Sequence, residues 1–446
     1  MKQVNLLTDS PRRLFFHYLG PTIGSSMVTS IYILADTIMV GQGVGDAGLA
    51  ALTIFMPIVA SFFALGLLLG IGGGVLMSVA KGSGNESLAH KYFSTAMISA
   101  AVVSVCFAVF GAIFFDPMMY ALGADTTNIE LVRGYGLCYT VSAPLFIFSS
   151  SLQSFIRNDK SPRHAMIAVL TGSGLNILLD YLFIFVFKMG MFGASFATSI
   201  GTSITVCILI IHFFTKKNTM RFSFRFFSIK ALWEIAKCGF SSFLIECANA
   251  VLVFVFNHTL LKYIGSVGVT VYSIMSNVAV VCMSLFNGVT LAAQPIIATN
   301  HGADNHKRVL QVRHIGTITS SVIAVIIFCV GFFFPDLLIY SYVKDPTPEI
   351  LELARYALRI YFFAYLFMNF NIFFSGYFQS TLRPVAAITI QILRSLLLSS
   401  VLVSVLPMIF GADAIWYAVP ITECITFFVA MAFLFFGRFK KTKDAK

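Results

Sequence analysis

The sequence predicts an all-α integral membrane protein, with twelve transmembrane helices in two six-helix lobes related by a pseudo-two-fold axis along the membrane normal. Three observations predict it. Of the 446 residues, 58% are hydrophobic and 11% charged, and the mean hydropathy is +0.87, a balance foreign to soluble domains. Apolar runs long enough for a bilayer core of about 30 Å, which takes roughly 20 helical residues, recur twelve times. Landmarks of the first half return in the second at a nearly constant offset.

In the first half the runs lie near 14–35, 49–77, 93–115, 134–156, 164–187 and 192–214. The second run holds Gly70, Gly72, Gly73 and Gly74; with no strand before them, they read as helix packing and not as a phosphate cradle. It ends in the polar cap Gly82-Ser83-Gly84-Asn85, Ser161-Pro162 precedes the fifth run, and Phe192-Gly193-Ala194 opens the sixth. The second-half runs lie near 235–262, 269–298, 312–334, 351–380, 385–408 and 415–436. Gly302-Ala303-Asp304-Asn305 repeats the first cap 220 residues on, Arg383-Pro384 repeats the second landmark at 222, and Phe410-Gly411-Ala412 the third at 218. An even number of helices per half sets both halves the same way up. The organisation is therefore a first lobe over 1–214, a Lys-, Arg- and Phe-rich linker over 215–231, and a second lobe over 232–446. Continuously apolar segments speak against a β-barrel, whose strands alternate over about ten residues.

Basic residues near helix ends are retained in the cytoplasm. Lys2, Arg12, Arg13, Arg438, Lys440, Lys441, Lys443 and Lys446 flank the chain ends. Lys81, Lys91, Arg157, Lys160, Arg163, Lys216, Lys217, Arg221, Arg225, Lys230, Lys307, Arg308, Arg313 and Arg383 fall in loops on the same face, making 22 of the 30. Arg133, Lys188, Lys262, Lys344, Arg355 and Arg359 mark the other face, and Lys237 and Arg394 fall inside helices seven and eleven. A multi-pass cell-membrane protein with both termini cytoplasmic is expected, its first helix serving as the first anchor. The net charge of +11 then reports orientation, with a weak pull towards anionic membrane lipid and no nucleic-acid partner. The eight cysteines all fall in predicted helices without C-x-x-C spacing, so neither disulfides nor zinc are expected. No extramembrane domain or G-x-x-x-x-G-K-[ST] sequence offers a site for ATP.

Across essentially its whole length, the chain resembles the multidrug and toxic compound extrusion (MATE) family. The resemblance rests on Pro21, on Asp36 in Asp36-Thr37-Ile38-Met39-Val40-Gly41, on Asn176-Ile-Leu-Leu-Asp180 and on Gly193-Ala194 leading to Thr198. In the second half it rests on Gly239-Phe-Ser-Ser-Phe-Leu-Ile-Glu246. It implies a coupling-ion site for H⁺ or Na⁺ inside the first lobe at Asp36, Asn176, Asp180 and Thr198. Burial disfavours a charged carboxyl, which suits proton uptake, and oxygens of Asp, Asn and Thr equally suit a hard cation. A buried hydrogen-bond network holding helices one, five and six together is the structural alternative. Where some members carry an acid in helix ten, this chain reads Tyr365-Leu-Phe-Met-Asn369-Phe-Asn371, which moves the weight to Asp36 and Asp180.

A carboxylate at membrane depth costs roughly 2.5 to 3.5 kcal/mol on insertion scales, so each needs a role. Glu246, three residues from Asn249 and one turn after Ser242, is the leading substrate contact; its competitor is an ion pair with Lys237 or Arg394. Glu423 is expected to pair with Arg394. Met275, Asn369 and Tyr361 complete the candidate pocket, since thioether and aromatic faces accept cations of varied shape. The expected function is ion-coupled antiport of lipophilic, mostly cationic small molecules by alternating access, without cofactor and as a monomer. A flippase for a lipid-linked oligosaccharide is the alternative; it predicts several Arg or Lys in the cavity, where few are expected. An enzyme would need a catalytic constellation, and none is present in the sequence.

Overall fold

The structure, a computed structural model, describes residues 4–343 and 345–443, with side chains described except for Ala250 and residues 437–443. Lys2, Lys344 and Lys446, and the side chains of Arg438, Lys440, Lys441 and Lys443, lie outside the described residues. Among the described residues, eleven helices are long and apolar enough to cross a membrane, and one bent pair completes a twelfth. They are α1 (Pro11–Val44), α2 (Asp46–Gly82), α3 (Glu86–Ile113), α4 (Ile129–Val141 plus Ala143–Asn158), α5 (Pro162–Val186) and α6 (Gly190–Phe214). The second lobe has α7 (Ile229–Tyr263), α8 (Ser266–Gly302), α9 (His306–Phe333), α10 (Pro348–Ser380), α11 (Pro384–Phe410) and α12 (Ala412–Phe436). The 52° bend in α4 falls where Pro144 opens its second segment, since proline removes a donor and crowds the preceding turn.

Several helices outrun their apolar stretches because caps, not hydropathy, set their ends. Gly45 ends α1 at φ +86°, and Gly265 ends α7 at φ +87°, a left-handed conformation that costs glycine little. Asn85 accepts from Leu88 N at 3.0 Å to start α3, and Asn305 accepts from Arg308 N at 3.4 Å to start α9. The repeat is thus written in the backbone as well as in the sequence. Two short helices, Phe115–Ala121 and Pro335–Tyr342, were too brief to register as apolar runs. Each is clamped to the next span: Arg133 Nη2 lies 2.6 Å from Asp116 Oδ2, and Arg355 Nε lies 2.6 Å from Asp336 Oδ1.

The lobes meet through α2 against α7, α1 against α8, and α2 crossing α8 near the axis. At that crossing a Cβ on Gly82 would stand 2.0 Å from Thr299 O, and one on Gly302 2.0 Å from Val79 O. No side chain fits there, and the two helix ends meet backbone to backbone. The glycines of α2 serve packing as expected: Gly72 abuts Ile235 O of α7, while Gly70, Gly73 and Gly74 abut Ser151, Phe155 and Asn158 of α4.

The cores do not follow the chain halves. Leu6, Leu14, Phe15 and Tyr18, at the start of the chain, are buried with Val289, Ile296 and Phe378 of the second lobe. Ala231, Ile235 and Cys238, the first turns of α7, are buried with first-lobe residues such as Leu69 and Phe155. Each lobe therefore takes in the entry helix of the other. The linker is bonded to the first lobe: Ser223 N donates to Ser94 Oγ at 3.1 Å, Thr95 Oγ1 donates to Phe226 O at 3.3 Å, and Thr219 N donates to Asp159 Oδ2 at 3.0 Å. The mirror arrangement ties the N-terminal segment to the second lobe, where Asn300 Nδ2 donates to Leu6 O at 3.0 Å and Arg308 Nε donates to Asn300 Oδ1 at 2.9 Å.

Candidate functional site

Between the lobes lies a cavity of about 450 Å³, a size suited to a drug-like molecule. Helices α1, α2, α4, α5 and α6 contribute one wall, and α7, α8, α10 and α11 the other. Its aromatic and aliphatic lining includes Tyr32, Ile33, Phe63, Leu67 and Phe146, interrupted by serines, amides, Glu246, Arg157 and Arg394. Towards the linker face, the glycine crossing of α2 and α8 stands beneath it.

Glu246 and Asn249, one turn apart on α7, both line this cavity. Neither expected base reaches Glu246. Lys237 sits over the Trp233 ring at 5.0 Å, while Arg394 Nη2 lies 2.8 Å from Glu423 Oε1. Asn371 Nδ2 completes that group by donating to Glu423 Oε2 at 2.7 Å. Glu246 stands in no ion pair or hydrogen bond among the described residues. Met275 and Asn369 are not on the cavity wall: Met275 is 1% exposed inside the second-lobe core, and Asn369 Nδ2 donates to Leu366 O of its own helix at 2.8 Å. Tyr361 packs against the same core. A helix apolar all round does not advertise which side meets a cavity.

In the first lobe, Asp36 of α1 and Asp180 of α5 bring their side chains together, with Asn176 beside Asp180. Asn176 Nδ2 donates to Thr198 Oγ1 at 3.2 Å, and Thr198 Oγ1 donates to Ala194 O at 3.0 Å. Thr198 is thus committed to orienting Asn176. Asn176 and Thr198 face the cavity, and the two acids stand behind them. Asp36 Oδ1, both carboxyl oxygens of Asp180 and Asn176 Oδ1 are buried without a donor. Four orphaned acceptors in one dry cluster are what a shared proton, or a hard cation, would satisfy. A π turn, Tyr181–Val186, begins directly after Asp180; the related α11 carries another over Leu393–Leu397, which includes Arg394. Such turns interrupt the helical ladder and recur at functional positions.

Arg157 was also misplaced by the sequence reading. It is not in a loop: it lies in the last turn of α4, is 8% exposed, and lines the cavity. The charge was taken as the end of a span, whereas an inward-facing base is tolerated inside one. Among the described residues the cavity is therefore lined by two bases, Arg157 and Arg394, of which the second is matched by Glu423. On the linker face, Asp159 has a fully buried side chain that meets Lys81 Nζ at 2.5 Å and His212 Nε2 at 2.9 Å.

Two repeated six-helix lobes around a shared cavity, with an acid cluster in one lobe, define a polytopic membrane protein of the transporter type. The chain belongs to the MatE family, whose model matches residues 21–182 and 238–405. It is 26% identical over 434 residues to a protein of Staphylococcus haemolyticus named multidrug export protein MepA, covering 97% of this chain and 95% of that one. It is 27% identical over 432 residues to the protein of that name in Staphylococcus saprophyticus, covering 96% and 94%. A solved structure described as the outward-facing conformation of a multidrug resistance MATE family transporter shares the fold, with TM-score 0.91 at 21% identity over 99% of this chain and 98% of that chain. A transporter from Pyrococcus furiosus, described by the reverse polarity of its binding pocket, matches with TM-score 0.90 at 21% identity, over 100% and 99%.

Proposed function

We propose that the chain is a secondary multidrug exporter, which moves lipophilic, mostly cationic compounds outward across the cell membrane in exchange for inward H⁺ or Na⁺. The observation that carries this reading is the cluster of orphaned oxygens at Asp36, Asp180 and Asn176. Two carboxyls in contact in a dry site cannot both stay charged and bare. They hold a proton or a cation between them, and Asn176 and Thr198 connect that event to the cavity wall. By contrast, Arg394 and Glu423 neutralise each other, so that pair offers no site to load. The names of the staphylococcal relatives support export as the direction and drugs as the cargo. Glu246, unpaired among aromatic walls, attracts a cation by charge, and Asn249 stands one turn away to orient it.

The basic face carrying the linker and both chain ends is the cytoplasmic one in this reading, so the cavity is closed towards the cytoplasm by the glycine crossing. Alternating access then exchanges this closure for one on the other face. Each charge returning across 100 mV supplies roughly 2.3 kcal/mol, or about fifty-fold in concentration. A flippase for a diphosphate lipid asks for several unmatched bases, and Arg157 is the one lining base here without a carboxylate partner among the described residues. The test is efflux of an ethidium-like cation in inverted vesicles, driven by a proton gradient and then by a sodium gradient. One of the two must drive transport, and Asp36→Asn must abolish it with expression unchanged. Transport indifferent to both gradients overturns antiport, and full activity in Asp36→Asn removes that residue from coupling.

A further inference from the structure

The export reading uses Glu246 and the acid cluster but leaves Arg157 unexplained. A buried guanidinium is among the costliest groups to leave without a counter-charge. Among the described residues the group has none. Its one hydrogen bond among the described residues runs from Nη2 to Ser154 Oγ at 3.1 Å, and Nε is buried without an acceptor. The nearest carboxylate along the chain, Asp159, is held by Lys81, His212 and Thr219. Arg394, the other lining base, is held by Glu423. Around the same cavity, Gln153 and Ser150 lie within two turns of Arg157 on α4, and Gln294 stands across from them on α8. Gln153 Nε2 donates to Ser149 Oγ at 3.1 Å, while Gln294 Nε2 reaches Gln379 Oε1 at 3.4 Å. Among the described residues, the cavity thus pairs one free acid, on α7, with one free base, on α4.

We infer that Arg157 is an anion subsite, which receives the carboxylate of an amphiphilic aromatic substrate at the linker-side end of the cavity. The planar fork of a guanidinium matches a carboxylate with two parallel hydrogen bonds. Nη1 and Nε, which lack partners among the described residues, are available to form them. The size of the cavity and its Tyr32, Phe63 and Phe146 walls favour a compact aromatic body. A single unmatched base is too little charge for a diphosphate headgroup. Under this assignment the protein accepts zwitterions as well as cations, and rejects neither because each charge meets a different helix. The inference rests on the export reading for its cargo, but it concerns a residue which that reading does not need.

The experiment uses a matched pair of dyes, a rhodamine with a free carboxylate and its ethyl ester, which differ only in the group Arg157 addresses. Fluorescence polarisation on the full chain in phosphatidylcholine nanodiscs is expected to show the acid binding at least as tightly as the ester. Arg157→Gln should weaken the acid tenfold or more and move the ester less than twofold. Arg157→Lys, which keeps the charge but loses the fork, should weaken the acid about threefold; it decides the matter if the glutamine variant does not fold. Equal losses for acid and ester, or a wild type that rejects the acid tenfold, overturn the subsite and leave the export reading standing. If wild type binds neither dye, the export reading itself falls. A tenfold loss of acid binding on adding phosphatidylglycerol, with the ester unmoved, assigns Arg157 to a lipid phosphate and overturns the carboxylate.

Discussion

At the scale of single residues, charge matching separates the two lobes. Arg394 and Glu423 satisfy each other with 4% of either side chain exposed, whereas Asp36 and Asp180 share a site with no base among the described residues. The family resemblance implied that Asp36 and Asp180 meet in the first lobe, and the spacing of four added only that Asn176 and Asp180 share one helical face. It could not rank Glu246 against its two possible bases, since pairing depends on rotation about α7 and α11. With the pairing resolved, Glu246→Gln is expected to impair export of cationic dyes at least tenfold while neutral compounds change less than twofold. Vesicle efflux of one of each kind checks this, and equal losses would assign Glu246 to structure. Asp159 makes a different prediction. Burial would push its carboxyl up, but the His212 contact and the Lys81 charge outweigh burial and hold it below the usual range. A depressed carboxyl contributes stability above its unfolded value of about 3.9, and loses it as pH falls through the lower folded value. Asp159→Asn should cost about 3 kcal/mol at neutral pH, by leaving Lys81 without its partner, and should flatten the acid limb of thermal unfolding below about pH 4. An unchanged acid limb would give that stability to other carboxyls.

At the scale of elements, hydropathy located all twelve spans, and what it missed has common causes. Helix ends at Gly45, Asn85, Gly265 and Asn305 depend on backbone angles and caps, which a run of apolar residues does not report. Arg157 was lost from α4 because hydropathy reads a charge as an exit from the membrane. Met275 and Asn369 were assigned to the cavity on residue type, while packing turned them into the core. The short helices clamped by Asp116–Arg133 and Asp336–Arg355 have ion pairs nearly half exposed, so solvent screens them and each contributes little. Asp336→Asn should therefore shift thermal unfolding by only a degree or two. The glycine crossing is the opposite case. Gly302→Ala forces a Cβ against Val79 O, and backbone cannot yield as a flexible side chain would. That variant should fold and bind dye but lose most transport, because the closure of the linker face is what it prevents. Transport at wild-type rates would show that the crossing opens and closes elsewhere.

At the scale of the whole molecule, a two-fold repeat of about 220 residues was legible from three landmarks, and the backbone repeats it at caps and clamps alike. Interleaving was not legible. Nothing in the order of apolar runs says that the first turns of α1 are buried in the second lobe, or that those of α7 are buried in the first. The consequence concerns how the chain is made. A first lobe just inserted by the ribosome lacks Ala231, Ile235 and Cys238, so its core waits for residues not yet synthesised, and a truncated half is a substrate for quality-control proteases. Covalent continuity is not what holds the pair together. Two separate chains, divided between Phe227 and Ser228 and produced in one cell, should find each other and restore dye efflux, while either fragment produced singly disappears.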